Sequence, residues 1–114
     1  MPTLIIKTNA DLTAVNRPEL LRSASGLVAE MLGKPERYVM VMVEAVADMC
    51  MAGDTAPLAY LELKSLGLPE AQTAAFSARL CDFIEQYLGI PAQRIYIEFA
   101  SPPRHLFGHN RATF

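Results

Sequence analysis

The sequence predicts an α/β fold: two βαβ units in one four-stranded mixed sheet, with two helices on one face. Three observations predict it. Leu-Gly-x-Pro occurs twice, from Leu32 and from Leu88, at an offset of 56 that is close to half the chain. A strand-like run follows each copy, YVMVMVE and RIYIEFA, and the same offset lays Leu4-Ile5-Ile6 on Tyr60-Leu61-Glu62. Between the paired runs, apolar residues recur at three- and four-residue steps, the spacing of one helix face. At 114 residues the chain is expected to form a single domain, 1–114, with pseudo-repeat halves of approximately 1–56 and 57–114. Two units are too few for a solenoid and suit halves that share one sheet.

The first strand starts at once, in MPTLIIKTNA. Proline lacks a backbone N–H, which suits the first residue of a strand. Pro2 also has a second reading. If Met1 is removed, Pro2 becomes a rigid secondary amine, and an α-amino-type group can act as a base near neutral pH.

A helix is expected over Arg17 to Leu32, with Asn16 as its N-cap and Pro18 tolerated in the first turn. Leu20, Ala24, Leu27, Val28 and Met31 form its apolar stripe. Gly33 ends it in the left-handed conformation and Pro35 keeps it from resuming. In the strand Tyr38–Glu44, Val39, Val41 and Val43 point one way and Met40 and Met42 the other. Both faces are apolar, so both should be covered. Helices cover one face of a two-layer sheet, and another copy of the chain would cover the second.

LAYLELKSLG supplies the third strand. The second helix is expected over Pro69 to Leu88, with Ala74, Ala78, Cys81, Ile84 and Leu88 as its stripe, widened by Phe76, Leu80, Phe83 and Tyr87. Gly89 and Pro91 repeat the stop signal. Strand–helix–strand connections of this length give parallel neighbours and right-handed crossovers. After Phe99 the tail ASPPRHLFGHNRATF cannot continue a helix through Pro102-Pro103. Phe107 and Phe114 are costly to expose, so the tail is expected to form short strands packed on a neighbouring subunit.

Hydrophobic residues make up 52% of the chain, against about 45–50% in ordinary soluble domains. So short a chain has little interior in which to hide the excess, which again favours an oligomer. Net charge is −2, which provides no basic field for nucleic acid. No apolar run reaches membrane-spanning length and the start lacks a signal-peptide pattern, so a cytoplasmic protein is expected. Cys50 and Cys81 lack metal or redox spacing and read as small buried hydrophobes. No catalytic triad, phosphate loop or metal cluster is present, and no cofactor is expected. His105 and His109 are separated by Gly108 and preceded by prolines, which argues against a helical metal pair. Glu44, Glu62 and Glu98 fall in strands, as solvated edges or ion pairs. The sharpest constellation is Pro2 with Lys34, Tyr96 and Glu98, whose meaning depends on convergence at Pro2.

Several segments together resemble the family of macrophage migration inhibitory factor and D-dopachrome tautomerase, within the tautomerase superfamily. They are MPTLIIKTN, LGKPERYVMV, LAYLELKSLG, RIYIEF and the closing N-x-x-T-F, in order over the whole length. The resemblance implies a homotrimer whose three sheets form a central barrel, with an active site at each subunit interface. It implies keto–enol tautomerisation of a small aromatic α-keto acid such as phenylpyruvate, with Pro2 as general base and then acid. It assigns Lys34 to the substrate carboxylate and Leu66 to a backbone N–H donor. Tyr96, Glu98, Tyr38, Phe107 and His109 would line the pocket, some from the adjacent subunit. Glu98 stands where the vertebrate cytokine has asparagine, and His109 and Phe107 replace its tryptophan and valine. The cytokine's Cys-x-x-Cys falls on Leu58-Ala59-Tyr60-Leu61, so no thiol oxidoreductase activity is expected. The alternative is a cytokine-like or partner-binding protein in which the tautomerase pocket is secondary or vestigial.

Overall fold

The computed structural model describes all residues, Met1–Phe114. Strand β1 (Thr3–Thr8) leads to helix α1 (Arg17–Leu32) and strand β2 (Met40–Ala45). Strand β3 (Ala59–Lys64), helix α2 (Thr73–Leu88) and strand β4 (Ile95–Ala100) follow, and the short strands β5 (Gly108–His109) and β6 (Ala112–Thr113) close the chain. The main sheet has the order β2-β1-β3-β4. β1 runs parallel to β2 and antiparallel to β3, and β3 runs parallel to β4. The sheet is therefore mixed, with two parallel pairs back to back, as the pseudo-repeat requires. β1 and β3, α1 and α2, and the 3₁₀ turns Glu36–Tyr38 and Ala92–Arg94 all recur at the offset of 56 read from the sequence.

Local chemistry sets these boundaries. The Asn16 side chain accepts a hydrogen bond from the Glu19 N–H at 3.2 Å, capping α1. Gly33 sits at φ +61, where its N–H reaches back to the last carbonyls of α1 and a side chain would be strained. Gly89, at φ +67, does the same for α2. The core lies between the sheet and the two helices. Leu4, Ile6, Leu61 and Leu63 from the sheet meet Leu20, Ala24 and Val28 of α1 and Phe76, Leu80 and Ile84 of α2.

Four expectations need correction. The second helix starts at Thr73, not Pro69, because Pro69 is extended and Glu70–Gln72 form a 3₁₀ turn. The first residue of that segment buried against the sheet is Phe76, so packing does not favour an earlier α-turn. Ala74 and Ala78 are exposed, and the buried stripe is Phe76, Leu80, Phe83 and Ile84, because the larger rings remove more apolar surface from water. The second strand begins at Met40, since Pro35 starts a turn in which the Tyr38 N–H bonds back to its carbonyl at 3.1 Å. Cys50 is exposed in the loop beyond β2. The tail forms its short strands as expected, and within the chain Phe107 and Phe114 pack on each other, with ring centroids 6.0 Å apart.

The opposite face of the sheet is uncovered in the single chain. Its side chains form rows across the strands: Met40, Thr3, Lys64 and Ala100; Met42, Ile5, Glu62 and Glu98; Glu44, Lys7, Tyr60 and Tyr96. Met40 is 58% exposed and Met42 42%, large values for apolar residues of a sheet strand. Glu62 pairs with Lys64 at 3.6 Å. Tyr60 donates its hydroxyl to Glu98, and that bond pushes the phenol up to about 12. It therefore stays protonated through neutral pH.

The connection between the halves is held by Arg94. Its guanidinium donates to the carbonyls of Met51, Asp54, Ala56 and Pro57 at 2.9–3.4 Å. A planar fork with five donors suits this task and an ammonium does not. Arg94→Lys should therefore expose residues 51–57 to rapid amide exchange and proteolysis while the sheet stays protected. Wild-type exchange in the variant would show that the loop holds without the fork.

Candidate active site

The start of β1 is where functional side chains gather. The Pro2 carbonyl accepts from the Met40 N–H at 3.0 Å, which fixes the terminus to β2. Because Thr3 pairs with Lys64, the chain leaving β3 passes beside Pro2 and puts Leu66 there. The same end of the sheet receives the Gly33 turn, which projects Lys34. Chain geometry thus brings Met1, Pro2, Lys34, Pro35, Tyr38 and Leu66 to one cavity of about 270 Å³, joined by Arg104 and Phe114 from the tail. Pro2 is fully buried. Leu66 is buried, and its N–H donates to no backbone carbonyl of the chain. A buried donor left open beside a cavity is available to a ligand.

The electrostatics are one-sided. Two cations line the cavity and no carboxylate side chain does. The Met1 amine is held below its ordinary value of 8.0, first by burial and then by the Lys34 and Arg104 charges. Each cause disfavours the ammonium and favours the free amine.

Tyr38 separates this cavity from a second, of about 210 Å³, whose wall includes Met1, Phe107 and His109. His109 stacks on Phe114 at 5.6 Å and meets the Tyr38 ring edge-on at 6.4 Å. Arg37 lies over the other aromatic partner, 4.7 Å from the centre of Tyr38. An aromatic wall therefore borders the amine cavity.

Of the residues selected from the sequence, Pro2, Lys34, Leu66 and Tyr38 share the main cavity, and Phe107 and His109 line the adjoining one. Tyr96 and Glu98 do not join them in the single chain. They lie on β4, the far edge strand, with β3 between them and β1. Tyr96 is 64% exposed there. Arg104 and Phe114 were not selected from the sequence. The signal for Arg104 is the Pro102-Pro103 pair just before it. After β4 the Ser101 hydroxyl accepts from the Leu68 N–H at 3.3 Å, so the stiff segment stays beside the Leu66 loop and delivers Arg104 to the cavity.

The fold and site define a βαβ-repeat domain whose amino terminus lies in a cationic, aromatic-walled cavity. Comparison with known proteins gives the family. The family description "Macrophage migration inhibitory factor (MIF)" matches residues 1–114. A macrophage migration inhibitory factor homolog of Trichuris trichiura is 35% identical over 115 residues, covering 100% of both chains. The solved macrophage migration inhibitory factor homologue from Prochlorococcus marinus is 42% identical, with a TM-score of 0.92 and 98% of each chain covered. The macrophage migration inhibitory factor structure from Trichinella spiralis also gives 0.92, at 34% identity over 98% of this chain and 99% of the other. The chain belongs to the macrophage migration inhibitory factor family.

Proposed function

We propose that the chain is a keto–enol tautomerase of aromatic α-keto acids such as phenylpyruvate, acting as a homotrimer with Pro2 as base and acid. The observation that carries the reading is the amino terminus itself: it lies in a cavity with two cations and no acidic side chain, where its amine is held below the ordinary value. Once Met1 is removed, Pro2 carries that amine one residue deeper, at a fully buried position. Burial and the same two charges then favour its neutral form. The amine accepts a proton from the carbon beside the carbonyl, holds it as a secondary ammonium, and returns it to the oxygen. The reverse reaction runs the same steps backwards. Lys34 holds the substrate carboxylate as a compact charge. The open Leu66 N–H supports the developing enolate, and the Tyr96 hydroxyl does the same from an adjacent subunit. Tyr38, Phe107 and His109 form the wall for the aromatic ring. Glu98, also from the adjacent subunit, is directed by its bond from Tyr60.

The test is a phenylpyruvate enol–keto assay on protein whose amino terminus has been defined by intact mass. Absence of turnover by protein with a free Pro2 would overturn the reading. Lys34→Ala should raise KM for the acid by about tenfold or more, and by much less for its ester. The variant also lacks a positive neighbour of the amine. The amine's pKa should rise, and the ascending limb of kcat/KM should move to higher pH. Equal losses on acid and ester would show that Lys34 acts on the amine alone.

A further inference from the structure

The turn that carries the open Leu66 N–H is not closed by a hydrogen bond of its own. The Ser65 N–H donates to the Ala100 carbonyl at 3.0 Å, one step beyond the ends of β3 and β4. Counting on from the Thr3–Lys64 pair of the antiparallel strands, Leu66 falls opposite Met1. Removal of Met1 therefore clears β1 from beside it. Gly67 then takes φ +63 and the chain turns. A β-turn commonly returns the N–H of its fourth residue to the carbonyl of its first, which here would join Leu68 to Ser65. The Leu68 N–H goes instead to the Ser101 hydroxyl, at 3.3 Å. Leu68 is buried, and a buried N–H left without a partner is costly. On the other side of the turn, the buried Ser65 hydroxyl donates to the Leu66 carbonyl at 3.3 Å. Leu66 is thus held from within by Ser65, and its turn is held from outside by Ser101.

Ser101 is placed by its own neighbours. It follows β4 directly and precedes Pro102, and a residue before proline is confined to extended backbone. It lines neither cavity beside Met1. We propose that Ser101 is a positioning residue of the site: its hydroxyl fixes the Leu66–Gly67 turn, so that the Leu66 N–H stands ready where the enolate oxygen develops. The inference rests on the tautomerase reading. A donor fixed before the reaction needs no reorganisation when charge appears, whereas a turn free to move must be ordered again in every transition state. The hold matters less in the ground state, where Lys34 carries the substrate by its carboxylate.

Ser101→Ala removes the acceptor and keeps β4 and Pro102. Its kcat for phenylpyruvate should fall about tenfold, part of the roughly 10²–10³ that loss of a whole oxyanion donor costs. KM should change by less than about twofold, the pattern of an interaction made in the transition state. The ascending limb of kcat/KM should keep its pH, in contrast to Lys34→Ala, because no charge near the amine changes. Amide exchange at Leu68 should become about tenfold faster. Ser101 is exposed, so Ser101→Thr has room for its methyl group and should return both kcat and exchange toward wild type. An unchanged kcat in folded Ser101→Ala overturns the proposal, and so does unchanged exchange at Leu68. A loss that Ser101→Thr does not recover also overturns it, since the hydroxyl would then not be the cause. Failure of the tautomerase reading looks different: wild-type protein with a free Pro2 would not turn over phenylpyruvate at all.

Discussion

Protein that keeps Met1 should lose tautomerase activity by about a thousandfold relative to protein that starts at Pro2, while remaining folded. General base catalysis contributes about 10²–10⁴ in rate, and an amide nitrogen has no lone pair to offer. In the Met1 form, Pro2 is acylated and its nitrogen is planar, so the base is absent, not merely weakened. The free amine present belongs to Met1, which lines the same cavity and takes up room that substrate needs. The fold should be indifferent, because β1 is held through the Pro2 carbonyl and the Thr3–Thr8 ladder, not through the terminus. The check pairs intact mass with the enol–keto assay on two preparations, one co-expressed with methionine aminopeptidase and one protected from it. Equal activity in a sample shown to keep Met1 would remove Pro2 from the mechanism.

Met42→Asp should dissociate the assembly and abolish turnover together. Met42 lies 42% exposed in the middle of the open sheet face, and Met40 is more exposed still. Both edges of the sheet, β2 and β4, end in unpaired backbone carried by apolar sequence, a combination that favours pairing with another chain. Burying a methionine is worth about 1.5–3 kcal/mol, while an unpaired carboxylate in the same place costs several. A symmetric trimer bears that cost three times. Activity should fall with assembly, because Tyr96 and Glu98 lie across β3 from Pro2 in their own chain, and the proposed mechanism takes both from an adjacent subunit. Sedimentation equilibrium and the assay on one sample decide it, with Met42→Leu as the control that keeps both properties. A fully active monomer would mean that the site is complete in one chain.

The parts of the fold governed by local chemistry were legible in the sequence. Asn16 marks a helix start by its side-chain oxygen and Gly33 and Gly89 mark helix ends by their freedom to take positive φ, and α1 runs from Arg17 to Leu32 as read. Parallel pairing within each half followed from the length of its connection. What was not legible depends on competition between distant groups. Alanines and phenylalanines of α2 both recur at helical steps, and the sheet decides which side faces inward. The start of β2 depends on the Pro35 turn, which spends two residues of a strand-like run before pairing begins. For the site, Pro2, Lys34 and Leu66 could be chosen by resemblance and their convergence checked in the fold. Arg104 could not, because its place depends on how the end of β4 and the Leu66 loop are tied together.

The repeat has an unequal outcome for its two ends. Displaced by 56 residues, Pro2, Lys34 and Tyr38 become Leu58, Ile90 and Arg94. Leu58 has an amide nitrogen, which donates to Asn9 Oδ1 at 2.9 Å. Ile90 is buried in the core, and Arg94 is occupied by four carbonyls of the connecting loop. The linker between the halves therefore seals the mirror position of the cavity. Duplicating a βαβ unit copies strands, helices and turns, but it cannot copy a chain end, since the second copy's first residue is joined to what precedes it. Any chemistry that depends on a terminal amine is thus inherited once per polypeptide. The other half can place Ile90 and Arg94 where the first has Lys34 and Tyr38, and serve as support.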